Sequence, residues 1–142
     1  MSARDLYQEL ILDHARSPQN FGALEQATAH SHRENISCGD TIDLYLLVEN
    51  DQIVDVRFEG QGCALSTASA SMMTDVIKGK SLSEVQQLTD HFRAYISGEA
   101  DALDEALEDF EAFQGVRQLP ARVKCVTLPW VTLADLLAQK PD

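Results

Sequence analysis

Three cysteines and one aspartate are the residues of this chain whose types and spacing best support chemistry. They are Cys38 and Asp40 in Ser37-Cys38-Gly39-Asp40, Cys63 in Gly60-Gln61-Gly62-Cys63-Ala64, and Cys125 in Arg122-Val123-Lys124-Cys125. An odd number of cysteines in a chain of 142 residues argues against a disulfide framework and for metal binding or thiol chemistry. With Asp40, the three sulfurs provide four candidate ligands for one tetrahedral ion. Gly39 frees the backbone so that Cys38 and Asp40 can turn toward a common point. Cys63 lies where a strand ends and a helix begins, and the positive end of a helix dipole favours a thiolate there. Arg122 falls three residues before Cys125, on roughly the same helical face, while Lys124 points about 100° away. Three thiolates and a carboxylate around Zn²⁺ leave net negative charge, so basic neighbours are expected.

The elements that must carry these residues are legible in outline. Ile42, Leu44, Leu46 and Val48 alternate with polar or outward positions, as do Val54, Val56 and Phe58 after Asn50-Asp51. Two period-2 runs across a short turn predict a β-hairpin with Val54, Val56 and Phe58 facing inward. Cys38 precedes the first strand and Cys63 follows the second, so the hairpin brings Cys38, Asp40 and Cys63 into one neighbourhood. Residues 28–34 read as a weaker strand. Leu6, Tyr7, Leu10, Ile11 and His14 predict an amphipathic helix over 4–16, broken by Ser17-Pro18. A helix is expected over 66–78, ended by Gly79. Ser81-Leu82-Ser83-Glu84 has capping-box spacing and starts a short helix to about Leu88, with another turn or two over 91–96. Leu103, Leu107, Phe110 and Phe113 form a helical stripe, and a last helical region covers 120–139, with Pro129 expected to kink or divide it.

Taken singly, each cysteine is better explained as a small buried structural side chain in a corner or core. Taken as three, with two converging through the hairpin, they are better explained by a shared site. His30 and His32 share a face if 28–34 is a strand, and His-x-His can bind metal, although exposed polar positions explain them first. Ser66, Ser69 and Ser71 have no evident histidine base, which argues against a hydrolase triad. There is no phosphate-binding Gly-rich loop and no Cys-x-x-Cys pair.

The totals exclude some functions. A net charge of -12, from 23 acidic and 11 basic side chains, repels phosphate backbones and disfavours nucleic-acid binding. The acids from Glu99 to Glu111 have no basic residue among them and suggest a solvated helix face. No apolar run approaches the roughly 20 residues that span a bilayer, and the N-terminal segment lacks a signal-peptide core. A cytoplasmic protein without membrane partners is expected, with residues 1–142 forming a single domain.

The segments Tyr7 with Asp13-His14 and Pro18, Asn35-Ile36-Ser37-Cys38-Gly39-Asp40, Gly60-Gln61-Gly62-Cys63-Ala64-Leu65-Ser66 with Ala68-Ser69, and Pro120-Ala121-Arg122-Val123-Lys124-Cys125 with Leu128 and Trp130 resemble the IscU/NifU-like iron–sulfur cluster assembly family. The resemblance is closest to its SufU branch. Scaffold-type members carry histidine immediately before the third cysteine, where this chain has Lys124, and the 64–124 segment is long, as in SufU-like proteins. The resemblance implies an α+β fold, with a small antiparallel sheet of about three strands and helices packed on one face. It implies Zn²⁺ held by Cys38, Asp40, Cys63 and Cys125. It also implies a sulfurtransferase that accepts persulfide sulfur on Cys38 from a SufS-like cysteine desulfurase and passes it to downstream Fe–S assembly proteins. The alternatives are a non-enzymatic scaffold holding a transient Fe–S cluster, and a zinc site that only stabilises the fold.

Overall fold

The computed structural model describes residues 3–37 and 39–139. The chain forms α1 (Ala3–Arg16), β1 (Ala29–Asn35), β2 (Asp40–Glu49), β3 (Gln52–Gln61), α2 (Ala64–Ile77), α3 (Leu82–Ile96), a 3₁₀ helix (Glu105–Gln118) and α4 (Pro120–Gln139). This is an α+β fold. The three strands form one antiparallel sheet in the order β1-β2-β3. One face of the sheet, carrying Ile42, Leu44, Leu46, Ile53, Val56 and Phe58, is buried in a core shared with α2, α3 and α4. The other face carries His30, His32, Asp43, Tyr45 and Glu59, whose side chains hydrogen-bond to one another or to strand neighbours.

The β2–β3 connection is a two-residue loop. Asn50 and Asp51 both adopt left-handed φ values, 53° and 60°, which suits a primed turn matched to the strand twist. The predicted inward set needs one correction. A bulge between Leu47 and Val48 shifts the register, so that Leu47 pairs with Asp55 and Val48 with Ile53. Val54 is the extra residue and is 44% exposed, while Ile53 is fully buried. Simple alternation from Phe58 backward cannot detect a residue inserted into the ladder.

Two helix predictions are also corrected. α3 runs unbroken from Leu82 to Ile96 instead of stopping near Leu88. Thr89 is accommodated inside it because its hydroxyl donates to the Val85 carbonyl at 2.7 Å. Ser81 caps its start, accepting from the Glu84 amide at 3.1 Å, as the sequence signature requires. α4 likewise continues through Pro129, which is buried and does not divide it. The stripe of Leu107, Phe110 and Phe113 does face the core, but on a 3₁₀ helix. The acids from Glu99 to Glu111 are exposed, and Glu111 accepts a hydrogen bond from Tyr7 at 3.0 Å.

Trp130 anchors α4 in this core. It stacks on Phe92 at 4.7 Å and meets Phe110 edge-on at 5.3 Å. α2 is rich in small residues on its buried side, with Ser66, Ala68, Ser69, Ala70 and Ser71 all buried. That lets neighbouring helices approach closely. The Ser69 hydroxyl donates to the Val126 carbonyl of α4 at 2.7 Å, and His14 of α1 meets the Ser71 hydroxyl at 2.7 Å.

The bulge gives a direct test by urea unfolding. Ile53→Ala is expected to cost about 2–5 kcal/mol, the usual range for a truncated core residue. Val54→Ala should stay within about 0.5 kcal/mol because its side chain faces solvent.

Candidate metal centre

Asp40, Cys63 and Cys125 come from three elements and meet at one end of the sheet. One ligand atom from each lies within 4.8 Å of the other two. Asp40 opens β2 and is fully buried. Its position follows from the hairpin, because Thr41 pairs with Gln61 and the chain leaving β3 must pass beside it. Cys63 is the N-cap of α2 and half-buried. Its backbone N–H donates to Asp40 Oδ1 at 2.9 Å, and its thiol lies 4.0 Å from Asp40 Oδ2. Cys125 is buried on α4, with its Sγ 3.7 Å from the Ala121 carbonyl oxygen. The bond between Ser69 and Val126 ties the residue after Cys125 to α2, so Cys63 and Cys125 are held by two packed helices.

Cys38, the remaining sequence candidate, lies outside the described residues. Its neighbour Gly39 has φ of +71°, a conformation that favours glycine and agrees with its expected role in the turn. Arg122 and Lys124 are both exposed at the start of α4. His30 and His32 are not part of this group. They lie on the outer face of the sheet, where His30 Nε2 and His32 Nδ1 contact Asp43 Oδ1 at 3.0 and 3.1 Å. His14 packs against α2 through Ser71, and His91 Nε2 donates to the Ala102 carbonyl at 3.0 Å.

Two glycines shape the centre more tightly than sequence reasoning detects. A Cβ on Gly60 would fall 2.1 Å from the Thr41 carbonyl, at a φ of +154°. A Cβ on Gly62 would fall 2.5 Å from both Asp40 Oδ1 and Ser66 Oγ. In sequence both glycines read only as turn formers. The bare backbone at Gly62 is what lets the aspartate reach the Cys63 amide.

The donor set fits a metal ion. Two sulfurs and one carboxylate oxygen are the ligand types that bind zinc with bonds of about 2.0–2.3 Å, and here Asp40 and Cys125 are buried while Cys63 is half-buried. Asp40 has no ion pair among the described residues. A carboxylate held out of water with one amide donor favours a nearby cation strongly. The fold and these residues thus define a small α+β protein with a largely buried cysteine–carboxylate centre.

Comparison with known proteins agrees. The family described as the NifU-like N terminal domain matches residues 6–126, and the chain belongs to that family. It is 40% identical to the zinc-dependent sulfurtransferase SufU of Bacillus subtilis over 137 residues, covering 95% of this chain and 91% of that protein. It is 38% identical to the iron-sulfur cluster assembly scaffold protein IscU of Streptococcus pyogenes, covering 96% and 86% of the two chains. Its fold matches the crystal structure of a protein assigned as an iron-sulfur cluster assembly scaffold for the SUF system, from Fervidobacterium islandicum AW-1. The TM-score is 0.86 at 37% identity, covering 96% of this chain and 99% of that one. Among the described residues, no helix is long and apolar enough to cross a membrane.

Two outcomes are expected. Gly62→Ala should destabilise the protein by about 1–3 kcal/mol in urea unfolding, because Asp40 or Ser66 must move. Gly115→Ala, with nothing within 4 Å of the added carbon, serves as the control. The His32 ring, hydrogen-bonded first by Glu34 and then by Asp43, has its pKa raised above 6.5. A folded-state pKa above the unfolded one stabilises the fold below the unfolded value, and this contribution fades as pH rises through the folded value. An NMR titration should place the His32 midpoint above 6.5, and Asp43→Asn should lower it.

Proposed function

We propose that this chain is a zinc-dependent sulfur acceptor and transferase of iron–sulfur cluster assembly, with Cys38, Asp40, Cys63 and Cys125 as the metal ligands. The observation that supports this most is the convergence of Asp40, Cys63 and Cys125 from three separate elements. The likeness to SufU extends nearly end to end, which adds support. In this reading residues 1–142 act as one domain in the cytoplasm.

The partner is a SufS-like cysteine desulfurase carrying a persulfide, and downstream Fe–S assembly proteins receive the sulfur. The Cys38 thiolate attacks the terminal sulfur of the donor persulfide. The donor's S–S bond breaks, its cysteine leaves as a thiolate, and Cys38 becomes the persulfide. When bound, the ion keeps the cysteines deprotonated and oriented, and does not serve as a hydrolytic Lewis acid. Asp40 and Cys63 stay fixed by their mutual hydrogen bond, and Cys125 by the packing of α4. These three would hold the ion when it is bound, so that Cys38 could receive the sulfur without loss of the centre. Arg122, exposed at the start of α4, offers a charged contact to the docked partner.

The test is a desulfurase assay with purified protein of measured zinc content. The wild-type chain should accelerate the desulfurase and acquire sulfane sulfur, and Cys38→Ala should abolish both while the fold survives. A chelator should lower the melting temperature substantially, because the ligands come from three segments and binding energy becomes folding energy. Unchanged acceleration by Cys38→Ala would remove that thiol from the mechanism. A stable chromophore that forms on anaerobic reconstitution and passes to apo-proteins would replace the transferase with a scaffold. Intact sulfur transfer by Asp40→Ala would reduce the metal to a structural role.

A further inference from the structure

Three buried side-chain polar atoms among the described residues have no hydrogen-bond partner: Nδ2 of Asn35, Nε of Arg57 and Nε1 of Trp130. Two of them lie away from the metal centre. Trp130 is packed among aromatic rings, and Arg57 pairs with Tyr45 on the outer face of the sheet. Asn35 is placed differently. It ends β1 and stands directly opposite Asp40 in the β1–β2 ladder. Residues directly opposite in an antiparallel pair project to the same face, with Cβ atoms about 4.5–5.5 Å apart. Alternation along β1 agrees, since Arg33, two residues earlier, reaches Asp135 of α4 on the helix-covered side. A shielded amide donor without an acceptor is therefore next to Asp40, a member of the candidate metal centre.

A buried donor left unpaired costs about 1–3 kcal/mol, and an apolar residue of the same size would avoid it. Such an atom needs an explanation, and a missing ion or acceptor is one of the few available. Asp40 Oδ1 accepts from the Cys63 amide and Oδ2 faces the Cys63 thiol at 4.0 Å, so the unpaired Nδ2 of Asn35 and a candidate ligand sulfur both lie beside the same carboxylate. A thiol sulfur is a weak acceptor, whereas a thiolate accepts a charge-assisted bond. A sulfur bound to a metal ion is an acceptor of that stronger kind.

We propose that Asn35 is a positioning residue of the metal centre, whose unpaired Nδ2–H, opposite Asp40, donates to a ligand sulfur when the ligands are gathered around an ion. This rests on the metal-binding reading above. The amide adds a donor without adding charge, and it does not titrate. Outer donors of this kind commonly carry about 10–100-fold in metal affinity.

The test compares wild type, Asn35→Leu and Asn35→Asp by anaerobic Co²⁺ titration, followed by zinc competition and melting of the metal-free proteins. Wild type should give the visible bands of tetrahedral cobalt bound by thiolates. Asn35→Leu should keep those bands and move the sulfur-to-cobalt charge-transfer band to lower energy, since the N–H no longer stabilises the sulfur lone pairs. It should also weaken zinc binding by roughly tenfold or more, with a metal-free melting temperature equal to or above wild type. Asn35→Asp keeps the side-chain shape, replaces the N–H with oxygen and should bind zinc more weakly still. It carries the test if Asn35→Leu does not fold. An unchanged band and unchanged affinity in the folded variants would overturn the role of Asn35 and leave the metal site standing. Absence of a tetrahedral thiolate spectrum in wild type would overturn the site itself, and the inference with it.

Discussion

The hydrogen bond from the Cys63 amide to Asp40 Oδ1 is the constraint on which the candidate centre depends. It joins the first residue of β2 to the residue that opens α2, and so closes the hairpin at the end opposite its turn. A charge-assisted bond of this kind contributes about 1.5–3 kcal/mol, but a carboxylate kept from water loses more than that unless further partners are supplied. The arrangement is therefore incomplete by itself and suited to a cation. Gly62 makes the bond possible, because any side chain there would occupy the space that Oδ1 needs. The same bond places the Cys63 sulfur at the positive end of α2, where no acidic residue of the helix's own first turn competes with it.

Placing the third ligand is a matter of helix packing. Cys125 has no link in sequence to the hairpin and reaches it only because α4 crosses the buried face of the sheet and lies against α2. Two features set that crossing. Trp130 fills the aromatic cluster on one side, and the small side chains of α2 allow close approach on the other. The Ser69–Val126 bond then fixes the rotation and height of α4 at the residue adjoining Cys125. The alanine and serine content of α2, unremarked as chemistry, thus has a direct effect on the geometry of the centre.

How much was legible in the sequence follows from which interactions are local. Two period-2 runs and a two-residue turn identify the hairpin, and hairpin geometry alone requires Asp40 and Cys63 to meet. The cysteine motifs made the family legible as well. Val54 and Ile53 were exchanged because a bulge is a property of the pairing, which neither strand records by itself. α3 runs on past Leu88 through Thr89, whose hydroxyl bonds within the helix, an interaction that the capping signal at its start does not display. Of the two outcomes expected at Pro129, a kink or a division, the division does not occur, since α4 is one helix. The close approaches at Gly60 and Gly62, and the orphan amide of Asn35, depend on atoms from different strands and have no sequence pattern of their own.

The molecule also offers a second group of metal-ligating side chains, and the contrast shows why chemistry belongs at the inner end of the hairpin. His30 and His32 converge on Asp43, but across the solvent face of the sheet, where each ring already has a carboxylate partner. Their demand for charge is met by Asp43, by Glu34 and by water, so an ion would have to displace contacts of similar strength in a high-dielectric setting. At Asp40, Cys63 and Cys125 two of the three donors are soft sulfurs, with Asp40 and Cys125 buried and Cys63 half-buried. Alternation along β2 sends Asp43 outward and Asp40 inward, and α2 and α4 bring the two sulfurs to the inner side. Burial turns the inner set into a centre that gains from an ion, while the outer set remains a screened surface network.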